Sequence, residues 1–324
     1  MSSFKYNNVY IKDYETICGP KEKEGKIRFS NSIKDYYNGE EGIEDAEIKM
    51  QEFCISKIIR RNNIGNIELL VGGDLMNQIA ITSYNIANKN IPFLGIYNAC
   101  ASFNESLIIL ANSIESKLLK EGLSVTSSHN LNSERQFRYP VEYGCPKKCY
   151  TTTTTTGAVC CLLTNEKTNI KIESATVGTV VDYGIKDANN MGAVMSPGAV
   201  KTLLKHLKEM KRDIDYYDLI VTGDLGELGE KIFLKLLKDE SGLKPKNYFD
   251  AATQIYRKSS EMCQGGSGPV VVPLVLFNKI LKEDYKRILV LATGSLHNPV
   301  MVNLKKSIPT ICHAISIEVK KWYI

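Results

Sequence analysis

Cys100 offers the most distinctive chemistry in the chain, because residues 92–96 read as a strand and an apolar helix follows just after it. A thiol at a strand-to-helix corner feels the positive end of the helix dipole, which favours thiolate and makes a nucleophile. The same position suits a small buried hydrophobe filling the corner, and position alone leaves both readings standing. A nucleophile needs a base and donors for an oxyanion. Four histidines are available, His129, His206, His297 and His313. His129 and His297 close two similar strands and so mark one side of a layer, where they either face a pocket or cap backbone. His206 flanks the apolar stripe of a helix and reads as structural.

Two further segments carry polar chemistry. Gly265-Gly266-Ser267-Gly268 either presents backbone N–H groups to an anion or makes a tight turn. No Gly-Lys-Ser/Thr follows it in register, and no GxGxxG opens a helix after the first strand, so no nucleotide fingerprint is present. The run Ser127-Ser128-His129 through Arg135 and Arg138 is rich in hydroxyl, imidazole and guanidinium donors. Arginine is the natural fork for a carboxylate, whereas Glu134 and Arg138 at helical spacing also make a plain surface ion pair.

The elements that would position these groups repeat. A helix is expected over about 44–61, a strand over 67–71, a helix to Ala87, a strand over 92–96, an apolar helix holding Leu107 to Leu118, and a strand over 123–126. Residues 217–225 then echo 67–75, Gly265 to Gly268 precede an apolar run as Cys100 does, and 288–298 echo 123–130. Three echoes in one order point to an internal duplication, with halves at 1–165 and 166–324. Strands alternating with helices predict mostly parallel sheets covered by helices, an α/β layered sandwich with pseudo-twofold symmetry. The first 45 residues read as polar and turn-rich. The threonines Thr151 to Thr156, running into Gly157, read as a β-branched strand, and 201–212 as an amphipathic helix.

Composition excludes several classes. With 43% apolar and 24% charged residues the chain is an ordinary globular sequence. Nine cysteines, an odd count in a long chain with no apolar leader, fit a reducing compartment better than a disulfide scaffold. Cys145, Cys149, Cys160 and Cys161 lack the histidine partners of a usual zinc site, so no metal is expected. The longest apolar stretch, 269–277, falls far short of the roughly 20 residues a membrane helix needs. A net charge of +5 and a pI near 8.5 favour an anionic ligand or an anionic membrane face. No dense basic run with interleaved aromatics appears, so nucleic acid is not an expected partner.

The blocks Gly19-Pro20-Lys21-Glu22-Lys23-Glu24-Gly25, Gly73-Asp74-Leu75-Met76-Asn77-Gln78, Glu134-Arg135-Gln136-Phe137-Arg138-Tyr139-Pro140, Thr222-Gly223-Asp224-Leu225 and Gly265-Gly266-Ser267-Gly268 make the chain recognisable. End to end it resembles the stage V sporulation protein AD family of spore-forming bacteria, a non-condensing branch of the thiolase-like superfamily. The resemblance implies a thiolase-like αβαβα sandwich that binds dipicolinic acid (pyridine-2,6-dicarboxylate), free or as its calcium chelate. It implies uptake of that ligand into the developing spore and release at germination, with other stage V sporulation A membrane proteins as partners. It further implies a peripheral place on the cytoplasmic face of the spore inner membrane, no cofactor and no catalysis, and leaves room for a homodimer. Condensing relatives place a catalytic histidine after the strand at 217–221, where this chain has Asp224, and an Asn or His near 265–268, where it has Gly and Ser. The ligand-binding set implied is Cys100, Ser127, Ser128, His129, Arg135, Arg138, Asp224, Gly266, Ser267 and Gly268. The competing reading is an acyltransferase or condensing enzyme that takes acyl-CoA or acyl-carrier substrates on Cys100.

Overall fold

The computed structural model describes residues 2–87, 89–137, 148–259, 262 and 264–320. Its strands are β1 Ser3–Lys5, β2 Tyr10–Cys18, β3 Leu70–Gly73, β4 Phe93–Gly95, β5 Glu121–Ser128, β6 Thr153–Thr154, β7 Gly157–Thr164, β8 Ile170–Thr176, β9 Leu219–Thr222, β10 Tyr248–Asp250, β11 Gly266–Ser267, β12 Arg287–Ser295 and β13 Thr310–Val319. The main sheet runs β10-β9-β12-β13-β8-β2-β7-β5-β3-β4, with β1 added on β8, while β6 and β11 pair with each other. Read inward from either end, the order is the same: two parallel joints, then antiparallel ones, meeting where β8 joins β2 through Tyr10 and Ile11. The strand pattern is palindromic, as duplicated halves would make it.

The helices are α1 Pro20–Lys23, α2 Ile43–Asn62, α3 Ala80–Ile86, α4 Ser102–Glu115, α5 Asn130–Phe137, α6 Met191–Met210, α7 Gly226–Ser241, α8 Ala252–Ile255, α9 Val271–Asn278 and α10 Pro299–Asn303. Three cores stack them into layers. In α2, Met50, Cys54, Ile55 and Ile58 fall on one face and bury against Leu123, Val125, Cys160 and Leu162. In α6 and α7, Leu203, Leu207, Phe233 and Leu237 do the same against Ile220, Leu289 and Leu291. Helix α9 is buried along its whole length, which suits a helix enclosed on every side. It lies beside α4 in the middle core, with Phe103 edge-on to Phe277 at 6.0 Å. Asn104 ties α4 to the second half of the sheet by donating to the carbonyls of Val290 and His313. The layers are therefore helix, sheet, helix, sheet, helix.

Four expectations are corrected. The sheet is mixed, with six antiparallel joints, β1 on β8 included, and four parallel ones, because β2, β7, β8 and β13 fill its middle. Strand β2 lies in the stretch that reads as polar and turn-rich. Its Asp13 and Glu15 carboxylates are taken up by Arg61 of α2, so the charges do not disqualify it as a strand. The threonine run contributes only Thr153–Thr154 before the turn into β7, although all six threonines are buried. Helix α6 starts ten residues before the amphipathic segment, at Met191 rather than Lys201. Gly192 looks like a breaker but is there for close approach: a Cβ on it would lie 2.3 Å from the Leu225 carbonyl oxygen and 2.9 Å from Gly229 Cα.

Candidate functional site

Cys100 occupies a single 3-10 turn, Ala99–Ala101, between β4 and α4. Ala99 adopts φ 47°, a left-handed conformation that turns the chain sharply into the helix. Behind this turn, His313 bridges Asn98 Nδ2 at 2.9 Å and the Gly178 amide at 3.2 Å. Burial lowers the His313 pKa to about 4, so the ring stands neutral between Asn98 and Gly178.

The thiol opens onto a pocket. Cys100, Ser133, Ser267, Ser295 and His297 supply polar groups, and Leu75, Tyr97, Phe137, Met191 and Met195 supply apolar wall. Both halves contribute: Ser133 and Phe137 come from α5, Ser295 ends β12, Ser267 lies in β11, and the methionines belong to the first turns of α6. Phe137 packs against His297 with ring centres 5.4 Å apart. Ser133 and Ser295 are buried, and their hydroxyls have no hydrogen-bond partner among the described residues.

Cys100 is not poised as a thiolate. Burial pushes its thiol well above the ordinary range, and the carboxyl of Asp224 facing it pushes further. The helix-dipole argument loses here to desolvation and a like-signed neighbour. Burial also raises Asp224 well above the usual carboxylate range, against the lowering effect of the Cys100 thiol and of the Gly268 amide, which donates to Oδ2 at 2.9 Å. The carboxyl and the thiol face one another, and burial pushes each toward its protonated form. The Asp224 loop is fixed by Asp250, which accepts from the Thr222 hydroxyl and the amides of Leu225, Gly226 and Ala252. Ser267 Oγ stands 3.9 Å from Cys100 Sγ.

The structure brings together only part of the expected set. Cys100 and Ser267 line the pocket; Asp224 and Gly268 back the thiol; Gly266 pairs with Thr153 in the small β6–β11 ladder. Ser127 lies outside the lining, donating to Glu47 and accepting from Gln51 in a buried network beneath α2. Ser128 donates to the Thr155 carbonyl. His129 is buried against Tyr36, whose carbonyl it meets at 2.8 Å, and burial lowers its pKa. Its expected symmetry mate His297 does line the pocket. Arg135 is exposed and pairs with Glu44. Ser133 and Phe137, four residues apart, face the pocket from α5, and at 100° per residue Arg135 falls off that side. Arg138 lies outside the described residues.

Sequence reasoning missed Ser133 and Ser295, and it named His313 without placing it. For Ser133 a signal existed in its i,i+4 spacing from Phe137. Among the described residues no group of three or more His, Cys, Asp or Glu is placed to hold a metal. Cys145 lies outside them, Cys149 is exposed, and Cys160 and Cys161 are buried in β7. No described helix is long and apolar enough to cross a membrane.

A family model for stage V sporulation protein AD matches residues 2–318. Stage V sporulation protein AD of Bacillus subtilis is 35% identical over 318 residues, covering 96% of this chain and 94% of that protein. Among solved structures, an OleA variant of Xanthomonas campestris superposes with a TM-score of 0.60 at 16% identity, covering 97% of this chain and 99% of that one. The 3-oxoacyl-(acyl carrier protein) synthase III of Xanthomonas oryzae gives 0.55 at 15% identity, covering 97% and 100%. At such identities the likeness is one of fold, and that fold is the thiolase-like layered sandwich.

Proposed function

The chain belongs to the stage V sporulation protein AD family, and from that premise we propose that it is a non-enzymatic binding protein for dipicolinic acid. In this reading it moves the ligand into the forming spore and out of it at germination. It works with stage V sporulation A membrane proteins, peripherally on the cytoplasmic face of the spore inner membrane. The observation that carries the reading is the pair of unpartnered buried hydroxyls, Ser133 and Ser295, lining the Cys100 pocket. A buried hydroxyl left unmade costs about 1–3 kcal/mol, so the pocket favours a polar guest that satisfies both. Tyr97, Phe137 and the two methionines offer a pyridine ring apolar walls. The described lining holds Glu134 and His297 but no arginine or lysine. A bare dianion is costly to bury without a cation, so the neutral calcium chelate suits this lining better than the free acid.

Calorimetric titration with dipicolinate, with and without calcium, tests this. Saturable heat that strengthens with calcium is expected, and no binding in either condition overturns the proposal. The acyl-transfer reading draws on the shared fold and on Cys100 lying in the pocket. It requires a stoichiometric acyl adduct on Cys100, with turnover, after incubation with acetyl- or malonyl-CoA; intact mass decides between the two.

A further inference from the structure

Two surface segments beside the pocket, held to one another, expose more large apolar side chains than any comparable stretch of the described surface. Val180 and Tyr183 are 55% and 59% exposed, and Val300, Met301 and Leu304 are 63%, 52% and 61% exposed. The segments are stitched by backbone bonds in both directions between Val181 and Thr310, by the Ile308 amide to the Ile185 carbonyl, and by Ser307 to Asp182. The first segment leads into Ala188 and the second follows His297, both of which line the Cys100 pocket.

Lysines flank this apolar patch on two sides. Lys305 and Lys306 are exposed and join no ion pair among the described residues. On the other side Thr179, next to Val180, shares a groove with Lys201, Lys205 and Lys208 of α6. Two carboxylates lie nearby: Asp182 is tied to Ser307 and the Gly184 amide, and Glu209, which shares the α6 groove, accepts from the Ser2 amide. An apolar patch bordered by lysines complements a lipid surface: side chains enter the acyl boundary while ammonium groups meet anionic headgroups.

We propose that this rim, α10 with residues 179–186 and the lysine face of α6, is the surface that lies on an anionic phospholipid bilayer, so that the pocket opens beside the membrane. The inference rests on the peripheral location in the reading above and adds the face that makes contact. A bilayer is favoured over a second copy or a protein because the patch projects from a short helix and a loop, with its lysines spread around it.

Flotation of the full chain with vesicles of phosphatidylcholine, alone or mixed with phosphatidylglycerol, tests it. The wild type is expected to float with the mixed vesicles and to be released by salt. Met301→Glu with Leu304→Glu should cut binding at least about tenfold, and Lys305→Gln with Lys306→Gln about fivefold per lysine. Tyr84→Glu, at a large side chain still more exposed elsewhere, should float like wild type. No flotation of the wild type, flotation unaffected by the rim variants, or a rim buried in a dimer by light scattering would each overturn the proposal. Dipicolinate titration of the same variants separates the two readings: vesicle binding without dipicolinate binding overturns the ligand alone, and the reverse overturns the membrane face alone.

Discussion

Asp224 and Cys100 face each other as carboxyl and thiol, and the Gly268 amide donates to Asp224 Oδ2 at 2.9 Å just behind the thiol. Burial pushes both toward their protonated forms. A condensing site needs a thiolate and a group to receive its proton, and burial works against the thiolate here.

Cys100 should therefore matter by its size. Cys100→Ser keeps the volume and should bind dipicolinate within a few-fold of wild type, whereas Cys100→Trp should fill the pocket and abolish binding. Iodoacetamide at neutral pH should modify the exposed Cys149 well before Cys100. Equal titration curves for both variants would place the ligand elsewhere.

Ser133→Ala and Ser295→Ala should act in opposite directions on stability and on binding. Each removes a buried hydroxyl without a partner, so the unliganded protein should melt at the same or a higher temperature. Dipicolinate should bind about two- to tenfold more weakly for each lost hydrogen bond of about 0.5–1.5 kcal/mol. By contrast, Arg135→Ala should leave binding unchanged and cost no more than about 1 kcal/mol, because its pair with Glu44 is at the surface. Melting curves and calorimetry on the three variants check all of this.

Asp250 gives the protein a pH dependence with a definite sign. Burial raises it to about 7. The folded state thus holds the proton more tightly than the unfolded state, whose Asp titrates near about 3.9. Its contribution to stability is full below pH ~4 and is lost as pH rises through about 7. Asp250→Asn removes that slope but sets an amide N–H against one of the four donors, so it should be less stable than wild type at pH 5. The gap should shrink by pH 8. Urea midpoints at the two pH values measure it, and a gap that widens with pH would reverse the assignment.

Gly229→Ala should destabilise by about 1–3 kcal/mol through overpacking, because the new methyl would lie 2.7 Å from Gly192 Cα across the α6–α7 crossing. Met191 and Met195 line the pocket from the same end of α6, so dipicolinate affinity should fall with stability. An unchanged urea midpoint would show that the crossing can open without loss.

The duplication was legible because 67–75 and 217–225 share hydrophobic pattern and Gly-Asp punctuation, and β3 and β9 indeed take corresponding places in the sheet. The central antiparallel strands were harder. Asp13 and Glu15 break the apolar run of β2, and only the fold reveals that Arg61, about fifty residues on, answers both. Cys100 was legible as the corner residue, and Ser267 as part of a glycine loop. Donor-rich composition misled over Ser127, His129 and Arg135, since composition carries no direction and helix α5 points Ser133 inward instead. The protonation of Cys100 was illegible for a similar reason. Its position reports the helix dipole, whereas burial and the facing Asp224, 124 residues further along the chain, are set by the fold.

Strand β1 has a consequence for the order in which the chain assembles. It pairs not with its own half but with β8, Ser3 opposite Thr176, and the Ser2 amide reaches Glu209 in α6 at 3.1 Å. On a ribosome adding about 5–20 residues per second, β1 emerges roughly ten to thirty seconds before its partner strand. Strand β1 must therefore wait, unpaired with β8, while the strands between them are made. A strand made early is fastened late, and once paired β1 becomes a clasp laid across β8.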